Sequence, residues 1–253
     1  MKLHVLEAGD GPAVALLHGL FGRAQNLGTL ARRLAPHYRV LSIDLRNHGA
    51  SPHAAGMTYE ALAGDVLETL ADAGALPASL VGHSMGGKTA MAAALLAPAE
   101  VKSLLVADIA PVPYAHRNSA VGAAMLAIPL DRPMRRADAD AALRDAVPDA
   151  GVRSFLLQNF LPGAAPAWRI GLANIANALP DIEGWPDFSP RTYAGPTLFV
   201  RGGLSDYVLP EYAPVMTKLF RAPDIRKIAD AGHWLHADKP DEFADIVMAF
   251  LQA

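Results

Sequence analysis

Ser79-Leu80-Val81-Gly82-His83-Ser84-Met85-Gly86-Gly87 is the stretch on which the fold turns. An apolar run leads into G-x-S-x-G and then into an Ala-rich segment of helical composition, Met85 to Leu96. The spacing predicts a strand, a sharp turn and a helix, with the serine on the turn and its hydroxyl raised above a sheet edge. Glycines two residues before and two after Ser84 let strand and helix approach without side-chain collision. The amide of Met85, opening the helix, is then placed to receive a developing oxyanion.

The same residues satisfy a second pattern. Gly82, four residues, then Gly87-Lys88-Thr89 reads as the phosphate-cradling G-x-x-x-x-G-K-[ST]. By composition alone the serine motif arises in roughly one chain in ten of this length and the phosphate motif in about one in a hundred. Rarity therefore favours the nucleotide reading, and the rest of the chain must decide. His18-Gly19-Leu20-Phe21-Gly22 follows an earlier apolar run, where an oxyanion loop belongs. A phosphate loop usually follows the first strand of its sheet, and this one follows several. Acid and base partners for a serine also lie downstream in the order Ser, Asp, His. These three features select the nucleophile reading.

Working outward, apolar runs recur at 13–17, 40–43, 79–81, 104–107 and 197–200, the pattern of strands buried on both faces of a parallel sheet. Helical segments alternate with them at about 25–35, 59–73, 85–96, 212–220 and 240–251. The fold class expected is α/β, a mostly parallel doubly wound sheet. Alternation stops between Pro111 and Pro190, a Pro-, Ala-, Asp- and Arg-rich stretch with no convincing strand. The expected organisation is a core of residues 1–110 and 191–253, with 111–190 as a helical cap inserted after the sixth strand. Such an insertion lies over the strand ends, where open α/β sheets bind ligands. Phe155, Leu156, Phe160, Leu161, Trp168 and Trp185 supply apolar walls there or pack the cap onto the core; Phe160 and Trp168, with Phe21 and Arg46, are the substrate-contact candidates.

His233, in Ala231-Gly232-His233-Trp234, follows an expected strand at 225–229 and precedes the last helix. A loop there can lower an imidazole onto Ser84, and a pKa of about 6.5 suits proton exchange near neutrality. His236 is the nearest rival. For the acid, Asp206 follows the strand at 197–200 and is favoured; Asp108, 24 residues after Ser84, is the alternative from a neighbouring strand end. Leu20 and Met85 are the candidate oxyanion donors.

Composition narrows the rest. The chain of 253 residues is 52% hydrophobic and 19% charged, with a formal charge of −3. That gives no electrostatic reason to expect nucleic acid. It has no cysteine, which removes thiolate chemistry and cysteine-held metals. No apolar run approaches the ~18 residues of a membrane span, and Glu7 and Asp10 interrupt any leader-like stretch. A cytoplasmic location, no membrane insertion, no metal and no cofactor are expected; oligomeric state leaves no mark.

Together, His18–Gly22, Asp44-Leu45-Arg46-Asn47-His48-Gly49-Ala50-Ser51-Pro52, Gly82–Met91 and Ala231–Ala237 resemble the α/β-hydrolase superfamily. Within it they are most similar to small YbfF-type bacterial esterases and their mitochondrial relatives. The resemblance covers most of the core and the cap only loosely. It implies cofactor-free hydrolysis of a small-molecule ester or acyl thioester. It also implies that the lysine after the glycine pair is a family trait, and it lends weight to Asp108. Perhydrolase or carbon–carbon hydrolase chemistry on the same triad is the alternative within the fold; a slow-turnover ligand receptor is the alternative outside enzymology.

Overall fold

The computed structural model describes residues 1–114 and 118–253. Strands β1 (Val5–Ala8), β2 (Ala13–Leu17), β3 (Arg39–Ile43), β4 (Ala78–His83) and β5 (Val101–Ala107) precede the inserted segment. Helices α1 (Gly28–Leu34), α2 (Tyr59–Asp72) and α3 (Met85–Leu96) connect them. The segment over the sheet holds α4 (Ser119–Leu126), α5 (Arg136–Leu143) and α6 (Ala150–Leu157). A ribbon follows, β6 (Phe160–Leu161) with β7 (Ala167–Trp168), then α7 (Leu172–Asn177) and α8 (Leu179–Glu183). The chain re-enters the sheet at β8 (Thr197–Gly202), then forms α9 (Ala213–Leu219), β9 (Asp224–Ile228), α10 (Leu235–Asp238) and α11 (Pro240–Gln252).

Seven strands form one sheet in the order β1-β3-β2-β4-β5-β8-β9; only β1 runs antiparallel to its neighbour. β4 is buried along its whole length and β2 along all but its first residue, as strands covered by helices on both faces must be. The far edge is different: β9 exposes Asp224, Ile225, Arg226 and Lys227, and such charges discourage pairing with another chain. α3 is buried all round, and its run of alanines lets it lie close against the sheet and α2. The core divides into one cluster on each face of the sheet.

Two sequence expectations change. The insertion follows the fifth strand in chain order, not the sixth, because a single strand precedes β2. The inserted segment also contains strands, the β6–β7 ribbon, whose two-residue arms are too short to leave a periodic pattern.

Candidate active site

The turn between β4 and α3 holds Ser84 at φ 53° and ψ −121°. A non-glycine residue there carries strain of about 1–3 kcal/mol, held by the strand and helix on either side. The Ser84 amide donates to the Ala107 carbonyl of β5 at 3.0 Å. The flanking glycines are steric necessities: a Cβ on Gly82 would strike the backbone of Gly86 and Gly87, and one on Gly86 would strike the carbonyls of Leu17 and His18. The second contact butts the start of α3 against the end of β2, the strand that leads into the 18–22 loop.

Ser84 Oγ donates to His233 Nε2 at 3.0 Å, and His233 Nδ1 donates to Asp108 Oδ2 at 2.8 Å. His233 sits on the loop between β9 and α10, and its carbonyl accepts from His83 Nε2 at 2.8 Å. Tyr207 stacks on the imidazole, ring centroids 4.0 Å apart at 22°.

The carboxylate on His233 is therefore that of Asp108, which reverses the preference for Asp206. Strands β5 and β8 are parallel neighbours, so residues just past either one emerge at the same edge. Asp108 turns there through a positive φ of 51°. Its Oδ1 accepts the Gly202 amide at 2.8 Å, its Oδ2 accepts the Ser205 hydroxyl, and its own amide donates to Val200. The group is fully buried, with its oxygens filled by donors. Asp206, one residue beyond Ser205, is exposed in the bend after β8.

The 18–22 loop closes by a bond from the Gly22 amide to the Gly19 carbonyl and sets Phe21 at φ 59°. Two buried histidines fix it. His18 Nδ1 donates to Gly19 O at 2.8 Å while Nε2 accepts from the Leu45 amide at 3.0 Å. His48 Nε2 accepts the Phe21 amide at 3.1 Å while Nδ1 donates to Arg46 O. Each ring thus gives one proton and receives one, which only neutral imidazole can do. Burial lowers both pKa values, that of His48 to about 3. His236 faces the His83 ring and is likewise pushed down to about 4, first by burial and then by His233.

Leu20, Met85 and Phe21 line a cavity of about 260 Å³ together with Ser84 and His233. Phe155, Leu156 and Trp234 extend its apolar wall. Arg46, Phe160 and Trp168 are absent from it, contrary to expectation. Arg46 is buried against Asp65 at 2.5 Å and against the Gly56 carbonyl, so it braces its loop on α2. Phe160 and Trp168 pack edge to face at 5.4 Å across the ribbon. The phosphate-loop reading fails on geometry: Lys88 Nζ donates to the carbonyls of Glu183 and Gly184, and the Thr89 hydroxyl turns back onto Met85.

Several side chains here are not singled out by sequence reasoning: Ser205, Tyr207, Tyr59 and Tyr114. Ser205 and Tyr207 flank Asp206 in the sequence, so the loop itself was legible even though its contributing residues were not.

Residues 14–246 match the model of the alpha/beta hydrolase family. The chain belongs to that family. It is 42% identical over 250 residues to the mouse sn-1-specific diacylglycerol lipase ABHD11, covering 95% of this chain and 81% of that protein. It is 37% identical over 239 residues to the esterase YbfF of Escherichia coli strain K12, covering 94% and 92%. Among solved structures, a marine microorganism esterase superposes with a TM-score of 0.92 at 32% identity, covering 98% and 99% of the two chains. The protein is an alpha/beta hydrolase of the esterase and lipase type. Among the described residues no helix is long and apolar enough to cross a membrane.

Proposed function

We propose that the protein is a serine carboxylesterase that hydrolyses small to medium acyl esters through an acyl-enzyme on Ser84. The observation that carries this reading is the unbroken hydrogen-bonded line from Ser84 through His233 to Asp108, opening onto one cavity. His233 takes the hydroxyl proton as Ser84 Oγ attacks the ester carbonyl carbon, and Asp108 stabilises the resulting imidazolium. The amides of Leu20 and Met85 receive the oxyanion. The C–O bond breaks as His233 returns its proton to the leaving alcohol. Water then adds to the acyl-enzyme by the same proton route, freeing the acid and Ser84.

The names of the relatives support ester chemistry, and an acyl thioester fits the same steps with a thiol leaving. A cavity of about 260 Å³ lies at the small end of ligand sites, which favours acyl groups shorter than those of a membrane lipid. The test is hydrolysis of p-nitrophenyl butyrate and butyryl-CoA by wild type and Ser84→Ala. At least a thousandfold loss of turnover is expected, together with loss of the covalent mass added by a fluorophosphonate probe. Retained turnover in the variant would overturn the reading.

A further inference from the structure

Beside Ser84, the cavity holds a second group of polar side chains gathered around Lys88. Lys88 lies one helical turn beyond Ser84 on α3 and is 1% exposed. Its ammonium donates to the carbonyls of Glu183 at 3.2 Å and Gly184 at 2.6 Å, at the end of α8. It lies over the rings of Tyr114 and Tyr59, at 4.8 and 5.4 Å from their centroids. The Glu183 carboxylate accepts the backbone and side-chain N–H groups of Asn118 at 2.6 and 3.2 Å. Lys88, Tyr59, Tyr114, Asn118 and Glu183 line the same cavity as Ser84.

A lysine ammonium has three hydrogens to donate, and the two carbonyls take two. Burial draws this amine down to about 7, against the pull of Glu183. An all-carbon acyl chain pressed onto such a group removes it further from water and returns no hydrogen bond. An oxygen on the chain would accept the third N–H. A second carboxylate is disfavoured, because Glu183 already supplies the negative charge and two carboxylates would crowd one buried ammonium.

We propose that Lys88 is a substrate-recognition residue that selects short acyl groups carrying an uncharged acceptor oxygen at their far end. The inference deepens the esterase reading and rests on it. Lys88 stands four residues after Ser84, one turn along α3, which suits a short chain of about three or four atoms between the scissile carbonyl and that oxygen. Tyr59 and Tyr114 flank the amine with their ring faces, and they favour a planar ketone or ester group beside it.

The experiment compares three p-nitrophenyl esters on wild type and Lys88→Met: pentanoate, 4-oxopentanoate and the glutarate half-ester. Wild type is expected to favour 4-oxopentanoate over pentanoate by at least about tenfold in kcat/KM, and the variant to bring that ratio near one. A purely structural tether to α8 would lower both esters equally and keep the ratio, which would overturn the proposal. A wild-type ratio of one or below would overturn it whatever the variant does, including a variant that fails to fold. A wild-type preference for the glutarate half-ester over 4-oxopentanoate would also overturn it. If wild type turns over none of the three, the esterase reading fails and this inference falls with it; turnover of pentanoate with no oxo preference defeats the Lys88 assignment alone.

Discussion

The sheet edge and the segment above it are held by different forces. At the edge, Ser84, Asp108 and His233 issue from β4, β5 and the loop after β9, and parallel backbone ladders fix their relative positions. The overlying segment meets the core through shared apolar packing supplemented by isolated hydrogen bonds, several of them from side chain to backbone. Tyr59 OH donates to Ile182 O at 2.5 Å, Asn159 Nδ2 to Phe21 O at 2.7 Å, and Lys88 to the end of α8. A ladder distributes its strength over many bonds, whereas each of these ties is individually removable. Perturbing the edge should therefore strike the chemistry, and perturbing the ties should strike stability and substrate fit.

The largest effect expected is at the acid. Asp108→Asn should lower kcat by about a thousandfold or more, while Asp206→Asn stays within about threefold; steady-state kinetics on p-nitrophenyl butyrate measures both. Equal loss in the two variants would break the assignment. Next, Arg46→Met removes the guanidinium from buried Asp65 and should cost about 3 kcal/mol in urea unfolding, with little change in KM for the folded fraction.

Acid should also unfold the protein early. His48 and His236 have pKa values lowered to about 3 and about 4 by burial, against 6.5 when unfolded. Between pH 6.5 and 4 the unfolded chain binds protons that the folded chain refuses, so stability is present above pH 6.5 and falls as the pH drops. Thermal melts should show Tm declining across that window, and His236→Gln should flatten the decline. The smallest effect is at a tie: Tyr59→Phe should cost about 1 kcal/mol and raise KM more than it lowers kcat.

The sheet edge was also the more readable region. Gly82 is imposed by the backbone of Gly86 and Gly87 a few residues on, and Gly86 by the carbonyls of Leu17 and His18 at the end of β2, so the glycine spacing around Ser84 survives in one dimension. His233 was legible from its place after the last strand. The acid was harder because β5 and β8 end side by side, and sequence order does not tell which carboxylate turns inward. That depended on a positive φ at Asp108 and a hydroxyl from Ser205, 97 residues away. Arg46 misled because its partner lies 19 residues on, in α2. Phe160 and Trp168 misled because the inserted segment packs its own ribbon with the same aromatic types that would line a pocket.

Asn159 is 1% exposed and its Nδ2 donates to the carbonyl of Phe21, so the residue just before the β-ribbon holds the 18–22 loop. A shift of the inserted segment would pull on that loop through this contact.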